Sequence, residues 1–431
     1  MRQAILLLTL LSAAATGSSA QTDARVEWLR KHASPLRTLD FAASDDRDLE
    51  PIGRAIGSAR VVMLGEQSHG DGANFAAKAR LIRWLHQRHG FDLLVFESGF
   101  YECARTWIDA RAGMALADSA SGCMFEIWSN SQQVLPLLRY MDSVKTTGSP
   151  LELAGMDFQP SGRKARGMIA DLRRFFGAQP DSAAAWTEVA AFADRFALVF
   201  ESPRAFMTMP DSGKKGLLDA ADRLANRPTR PIESMGALGD PGFWRQTIGS
   251  ARAWSDFVWT ANMSAPDPVV FNRRDSVMAD NLLWLARKHP GRRIIVWGAT
   301  SHLVRNRTGI VKDEAPRMVP AGHHTAVALG SDVYTIGFLA AEGELGYARP
   351  GTQTPRQAIT PADSTTLDRL WAQTGQELAF LDLRKLAPGG EWLNEPLWAR
   401  PLGYAPMESR WPRHLDGFIF VRRMTPSTPV R

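Results

Sequence analysis

Short apolar runs rich in β-branched residues recur along the chain, and stretches with apolar residues at helical spacing separate most of them. Such runs are typical of strands that are buried on both faces, as in parallel sheets. The strand-like runs lie at 61–66, 93–98, 151–157, 293–299, 333–339, 378–383 and 416–422. Strands that alternate with helices predict an α/β fold with a mainly parallel sheet flanked by helices.

The interval from about 162 to 290 breaks this alternation, because it contains no convincing strand pattern. Its Ala, Leu, Arg and Trp residues recur at helical spacing, most clearly around 183–200 and 275–288. We therefore predict a helical insertion between two strands, packed over the C-terminal strand ends of the sheet. The insertion belongs to a single domain that we expect to span 21–431.

The first twenty residues have the order of a secretion signal. Arg2 supplies a positive start, residues 4–11 form an apolar core, and Ser18, Ser19 and Ala20 are small residues of the kind that precede a cleavage site. This predicts a signal peptide over 1–20 and a periplasmic or secreted protein. The apolar core is too short to cross a bilayer and no later stretch reaches about 18 uninterrupted apolar residues, so we expect no membrane span.

Cys103 and Cys123 are the only cysteines. In an oxidising compartment, an isolated pair of this kind predicts a disulfide bond. The alternative, a metal site with two thiolate ligands, would need further ligands from elsewhere in the chain.

The formal net charge is +6, but the basic residues are scattered along the chain. Short basic groups such as 163–166 are interrupted and carry no interleaved aromatic residues. This pattern indicates a solvated basic surface, so we expect no nucleic-acid partner.

Polar side chains follow the ends of several predicted strands. Glu66 ends the first run, His69 follows three residues later, and Glu97 ends the second run. Ligands of open α/β sheets bind beyond the carboxyl ends of the strands. Glu66 and His69 can therefore face one cavity, where they would polarise a water molecule or hold a metal. The structural alternative is a capped turn, and for Glu97 an ion pair with Lys78 or Arg80.

Two later strands end in the same way. His302 follows the run at 293–299 through a short turn, and Asp157 ends the run at 151–157. Chance placement explains poorly why so many strand ends carry a carboxylate or an imidazole. We expect these side chains to form one site.

Together with further positions along the chain, these strand-end residues resemble the erythromycin esterase family. The matching residues are Gly65-Glu66-Gln67-Ser68-His69-Gly70, Phe75, Lys78, Leu81, Gly90-Phe91, Phe96-Glu97-Ser98-Gly99-Phe100, Trp128, Gly155-Met156-Asp157, Asp275, Met278-Ala279 and Val296-Trp297 to His302. They run through residues 50–340 in the order and spacing of the family.

The resemblance implies an α/β catalytic domain with a helical insertion that forms a deep cleft. It also implies hydrolysis of a macrolide lactone ester in the best-known members, by water activated on the histidine that His69 matches. Glu66, Glu97 and His302 fall on positions that line that site, and Lys78 falls where a basic residue is usual. One departure is that the resistance esterases typically carry a further histidine where this chain has Ala299.

We therefore expect an esterase without a cofactor that acts on a small ester or lactone. Its catalytic residues would be His69, Glu66, Glu97 and His302. Lys78 and Asp157 would bind the substrate. A metal-dependent hydrolase using the same cluster and a non-catalytic binding protein that retains the cleft are the alternatives. The sequence leaves the oligomeric state open.

Overall fold

The computed structural model describes residues 22–261, 268–349 and 355–430. The predicted signal peptide, 1–20, lies outside these residues. Within them, no helix is both long enough and apolar enough to cross a membrane.

Strands of the described residues form one large sheet and one separate hairpin-like pair. The strands are β1 (Ser34–Pro35), β2 (Val61–Glu66), β3 (Phe91–Gly99), β4 (Glu152–Asp157), β5 (Arg293–Ala299), β6 (Val333–Leu345), β7 (Gln357–Ile359), β8 (Leu378–Asp382), β9 (Leu397–Ala399), β10 (Met407–Ser409) and β11 (Gly417–Met424). All seven strand-like runs of the sequence are strands of the large sheet. The short strands β1, β7, β9 and β10 were not predicted.

The helices of the described residues lie mostly between these strands. They are α1 (residues 22–32), α2 (Glu50–Ile56), α3 (Gly72–His89), α4 (Phe100–Arg111), α5 (Leu116–Ser119), α6 (Glu126–Ser129), α7 (Leu135–Val144), α8 (Met168–Gly177), α9 (Ser182–Glu201), α10 (Pro203–Met207), α11 (Asp211–Asn226), α12 (Pro241–Thr260), α13 (Pro268–Lys288), α14 (Thr300–Leu303), α15 (Ala321–Leu329) and α16 (Leu367–Gln373). Gly90 ends α3 with φ +65°, in the left-handed region that glycine adopts without strain.

The large sheet has the order β1-β8-β11-β6-β2-β5-β3-β4, with β7 paired to β6. The six strands from β11 to β4 are parallel, whereas β8, β1 and β7 pair in the antiparallel sense. The predicted α/β fold with a mainly parallel sheet is confirmed. Because β2, β5, β3 and β4 are neighbours, their carboxyl ends meet along one edge of the sheet.

Alternate residues of the central strands pack into two different cores. In β2, Val62 and Leu64 join one core with Phe75 of α3, while Val61 and Met63 join the opposite core. The period of two follows from the pleat of a strand. Apolar layers on both faces leave the strand ends as the place where polar groups can gather.

Between β4 and β5 the described residues form helices, including α8, α9, α11, α12 and α13. Their buried side chains, among them Phe175, Phe192 and Trp244, pack in the second core. The helical insertion expected in this part of the fold is therefore present.

The predicted disulfide bond is not formed. Cys103 and Cys123 are both free thiols that are buried in the first core. Burial, together with the neighbouring Cys123, raises the pKa of Cys103 well above its usual value. The pair therefore packs as two small apolar side chains, which is common for buried cysteine.

Candidate functional site

The turn that leaves β2 carries the first two candidate residues, Glu66 and His69. Gly65 is required there, because a Cβ at this position would lie 2.7 Å from Thr300 Oγ1 and 2.8 Å from Thr300 Cα. Buried Asp71 fixes the turn by accepting a hydrogen bond from the Ser68 amide at 2.8 Å. The close packing of α14 against β2 thus sets where the turn begins.

His69 and Glu66 form a direct pair. The ring nitrogen His69 Nδ1 lies 3.1 Å from Glu66 Oε1. Glu66 is fully buried, whereas about a third of the His69 side chain is exposed. A carboxylate at Nδ1 favours the tautomer that keeps its proton there, which leaves Nε2 with a free lone pair. Among the described residues, no hydrogen bond engages that nitrogen.

Two further groups contact the Glu66 carboxylate. The Trp128 indole N–H donates to Oε1 at 3.1 Å, and the Lys78 ammonium pairs with Oε2. Lys78 is fully buried, donates to Gly298 O at 3.2 Å and lies over the Trp297 ring. Burial lowers the pKa of Lys78 well below its usual value, and the charge of Glu97 opposes this shift.

Lys78 therefore lies behind Glu66 and does not face the open side of His69. It is the partner of Glu66 rather than of Glu97.

Glu97, at the end of β3, is held by groups from two other elements. Its Oε1 accepts from Arg274 Nη2 at 2.9 Å, and its Oε2 accepts from the Ala299 amide at 2.9 Å. Burial opposes ionisation, but the charges of His302, Arg274 and His69 and the Ala299 amide lower the pKa of Glu97 to about 2. Glu97 is therefore a carboxylate at neutral pH, and its cationic partner is neither Lys78 nor Arg80.

Arg274 of α13 joins three of the strand-end groups. Besides Glu97, its guanidinium donates to Asp157 Oδ2 at 2.6 Å and to His302 Nε2 at 3.2 Å. Burial opposes its charge, but Asp157 and Glu97 raise the pKa of Arg274 above its usual value. About 15% of its side chain stays exposed. It is therefore a fixed cation whose side chain stays partly exposed at the site.

His302 is oriented by a carboxylate of the helical insertion. Its Nδ1 lies 2.8 Å from Asp275 Oδ1, and its Nε2 lies 3.5 Å from Glu97 Oε1. Burial favours the neutral ring, but Asp275 and Glu97 together raise the pKa of His302 above its usual value. His302 is thus a second imidazole with a carboxylate at Nδ1.

The short turn after β5 connects the two halves of the site. Gly298 accepts the hydrogen bond from Lys78, and the next residue, Ala299, donates to Glu97. In the sheet register, Glu66 is opposite Ala299. Ala299 of β5 therefore lies between Glu66 of β2 and Glu97 of β3, which places the Glu66–His69 pair and the Glu97–Arg274–His302 group side by side at this edge of the sheet.

The structure thus brings together Glu66, His69, Glu97, His302 and Asp157, as the strand-end pattern predicts. Sequence reasoning gave no role to Arg274, Asp275 or Trp128. The adjacent residues Arg273-Arg274-Asp275 look like a solvated helix face, and only the contacts with the strand ends distinguish Arg274 from its neighbour. Within the described residues, no three His, Cys, Asp or Glu side chains are arranged to hold a metal ion.

Comparisons with known proteins place this geometry in context. The model of the erythromycin esterase family matches residues 86–424. A protein of Bacillus subtilis (strain 168), YbfO, named for a predicted hydrolase activity, is 25% identical over 423 residues, which is 94% of this chain and 92% of the relative.

Two solved structures share the fold. A protein from Bacillus cereus superposes with a TM-score of 0.78 at 19% identity, covering 95% of this chain and 99% of its own. A mutant of the erythromycin esterase EreC in its open conformation gives a TM-score of 0.62 at 19% identity, covering 92% and 98%. At these identities the likeness shows a common fold.

Proposed function

Because the chain belongs to the erythromycin esterase family and is a hydrolase of that kind, we propose that it cleaves an ester or lactone with water activated by His69. The observation that carries the proposal is the His69–Glu66 pair. Glu66 engages Nδ1 at 3.1 Å, and the partly exposed ring leaves Nε2 free to accept a proton. A histidine arranged in this way is a suitable general base near neutral pH.

In the proposed reaction, His69 Nε2 takes a proton from water as the water oxygen attacks the ester carbonyl. The resulting tetrahedral oxyanion then collapses and expels the alkoxide, which receives the proton from the His69 imidazolium. One ester and one water molecule give one acid and one alcohol. Glu66 stabilises the imidazolium while it exists, because its carboxylate contacts the ring.

Arg274 is the group that we assign to the oxyanion, and His302 is a positioning residue that accepts a hydrogen bond from it. Arg274 is the cation with an exposed edge, and His302 lies 3.2 Å from it. Donors fixed in this manner lower a barrier by a few kcal/mol (about 3 kcal/mol for one donor). Glu97 and Asp157 keep the guanidinium in place and balance its charge. Lys78 is buried and pairs with Glu66. We therefore propose that Lys78 orients the Glu66 carboxylate and does not contact the substrate.

The substrate class that we propose is a small carboxylic ester or lactone, with macrolides as one member to be tested. The relative EreC is named for erythromycin, whereas this chain has Ala299 where the resistance esterases typically carry a histidine. With one imidazole fewer, the reaction class is better supported than the antibiotic substrate. Given its N-terminal sequence, we also propose that the enzyme acts in the periplasm or outside the cell.

The test is a mass-spectrometric screen of purified protein against macrolides, simple lactones and aliphatic and aromatic esters. We expect wild-type protein to add water to at least one ester, with or without a chelator. His69→Ala should abolish turnover while the melting temperature stays close to wild type. His32→Ala, which removes a partly exposed histidine that packs against the Trp28 ring, is the matched control. Full activity of His69→Ala would refute the mechanism.

A further inference from the structure

A large cavity lies beside the site and is not used by the proposed mechanism. Its volume is about 780 Å³, and its walls come from residues within 117–135 and 160–166, with Phe200 and Val430 also lining it. This is within the range of pockets that bind small organic ligands, roughly 300–1,000 Å³. It is larger than the ester group alone would need.

Residues on both walls of the cavity neighbour residues of the catalytic cluster. Phe125 lines the cavity, and its ring centroid lies 6.1 Å from that of Trp128, which itself lies 5.2 Å from His69. On the other wall, Pro160 lines the cavity three residues after Asp157. The cavity therefore adjoins the site along the edge formed by α6 and the end of β4.

The charges that line the cavity are unbalanced. Two guanidiniums, Arg163 and Arg166, face one carboxylate, Glu126. In the part of the chain that the structure describes, neither arginine has a carboxylate partner, and Arg163 donates only to Ser121 Oγ at 2.7 Å. Lys164, which lies between them in the sequence, is paired with Asp109. The cavity thus keeps two cations available.

The remaining lining is suited to a ligand with an apolar body. Met124, Phe125, Leu135 and Phe200 provide apolar surface. Two buried polar atoms of lining residues, Ser129 Oγ and Asn130 Nδ2, have no hydrogen-bond partner among the described residues. Buried polar atoms are nearly always paired in a complete structure. A bound ligand with polar groups would supply these partners.

We propose that this cavity binds the non-reacting part of the substrate, and that this part carries an anionic group such as a carboxylate, sulfonate or phosphate next to an apolar body. The identification of the ligand as substrate rests on the proposed esterase function. Arginine suits this role because its planar fork binds such oxyanions with two hydrogen bonds. The apolar body would lie against Phe125 and Phe200 while the ester reaches His69.

Binding is tested first, independently of turnover. The probes are 8-anilinonaphthalene-1-sulfonate, an anionic aromatic amphiphile, and N-phenyl-1-naphthylamine, which lacks the charge. Fluorescence titration of wild type should show tighter binding of the anion, and the double variant Arg163→Gln/Arg166→Gln should lower the ratio of the two affinities about tenfold, as expected for a lost charged hydrogen bond. Arg204→Gln, at an exposed arginine with no side-chain partner in the described structure, is the matched control.

Turnover is tested with a matched ester pair, mono-4-nitrophenyl glutarate and 4-nitrophenyl butyrate. The double variant should lower the ratio of their kcat/KM values by a similar factor, about tenfold. An unchanged ratio of affinities would overturn the cavity assignment. An altered ratio of affinities without hydrolysis of any ester would leave an anion-binding cavity and refute the esterase function instead, so the two failures are distinguishable.

Discussion

The indole N–H of Trp128 donates a hydrogen bond to Glu66 Oε1, 3.1 Å away, although 62 residues separate the two in the chain. The same oxygen contacts His69 Nδ1, and the Trp128 ring meets the His69 ring edge-on at 5.2 Å. One tryptophan therefore fixes both the proposed general base, His69, and its carboxylate partner, Glu66. Because Glu66 is fully buried, the loss of this donor leaves part of a carboxylate unpaired.

Trp128→Phe removes this donor and keeps an aromatic ring. We expect kcat to fall about tenfold with a smaller change in KM, because Glu66 and His69 lose their shared support; a net hydrogen bond to a charged group is worth about 1.5–3 kcal/mol. Steady-state kinetics on the ester found in the screen provides the measurement. Trp84→Phe, at a similarly buried tryptophan whose ring packs against His89 at a tilted angle, is the control for loss of ring volume. Equal effects of the two substitutions would show that Trp128 acts only through packing.

Glu66 has both a catalytic and a structural role, and a paired substitution separates them. Glu66→Gln leaves the buried Lys78 ammonium without its anion, so we expect a loss of stability of about 3–5 kcal/mol as well as a strong loss of activity. Glu66→Gln/Lys78→Met removes the unpaired charge and should recover most of the stability without activity. Denaturant unfolding and kinetics on the three proteins are the measurements. Recovery of turnover by the double variant would remove Glu66 from the mechanism.

The strands and the carboxylates at their ends could be predicted because buried parallel strands are continuous apolar runs, and a charge that ends such a run is conspicuous. The position of Lys78 against Glu66 was not predicted: the sequence analysis assigned Lys78 to substrate binding, although Lys78 shares its buried helix face with apolar Phe75 and Ile82. Arg274 could not be found in this way. Arg273 and Arg274 are adjacent on α13, and only the folding of the insertion over the sheet directs one of them to Glu97 and Asp157.

Arg274 is the residue through which the insertion contributes to the site. Arg274→Lys keeps a charge but cannot reach Glu97, Asp157 and His302 together, because an ammonium lacks the planar fork of a guanidinium. We expect kcat/KM to fall by 100-fold or more, about 2.7 kcal/mol of transition-state stabilisation. Arg273→Lys, at the neighbouring arginine that pairs with Asp256, should have little effect. A wild-type rate for Arg274→Lys would exclude the guanidinium from oxyanion stabilisation.

Asp71 makes the stability of the catalytic turn depend on pH. Burial raises the pKa of Asp71 to about 7, although hydrogen bonds from Tyr404, Ser68 and Asn74 oppose the shift. Between its ordinary value near 4 and this value, the folded protein keeps a proton that the unfolded chain has released. The protonated Asp71 side chain therefore makes its full contribution to the free energy of unfolding below about pH 4. This contribution is lost as the pH rises through about 7.

Asp71→Asn mimics the protonated form and should not show this loss. We expect the free energy of unfolding of the variant, relative to wild type, to increase from pH 5 to pH 8 by about 2.7 kcal/mol, which is about 1.36 kcal/mol for each of the two pH units between pH 5 and the pKa near 7. Other buried acids, such as Glu102, contribute equally to the pH dependence of stability in both proteins, so their effect cancels in the difference. Asp118→Asn, at an exposed carboxyl, is the control. Parallel stability profiles for Asp71→Asn and wild type would contradict the raised pKa.

The last described residues tie the catalytic turn to the segment that follows Trp128. The Ser427 amide donates to Gly70 O at 2.9 Å, Thr428 O accepts from the Gln132 amide at 2.8 Å, and the Val430 amide donates to Asn130 O at 2.8 Å. These bonds join the two pieces of chain that carry His69 and Trp128. The segment 426–430 therefore acts on the geometry of the His69–Glu66 pair through these bonds, and its Val430 also lines the proposed binding cavity.

Deletion of 426–431 should lower kcat at least tenfold while the cooperative unfolding of the large sheet is retained, because β11 ends at Met424 and keeps its partners β6 and β8. The expected loss corresponds to about 1.4 kcal/mol or more in the barrier. Addition of the missing segment as a separate peptide at millimolar concentration should restore part of the rate, since backbone and side-chain hydrogen bonds to Gly70 and to the segment 130–133 fix its position. Val430→Ala keeps those backbone bonds and should retain the wild-type kcat. If the deletion leaves kcat unchanged, the segment only covers the surface, and Trp128 reaches Glu66 through the packing of α6 alone.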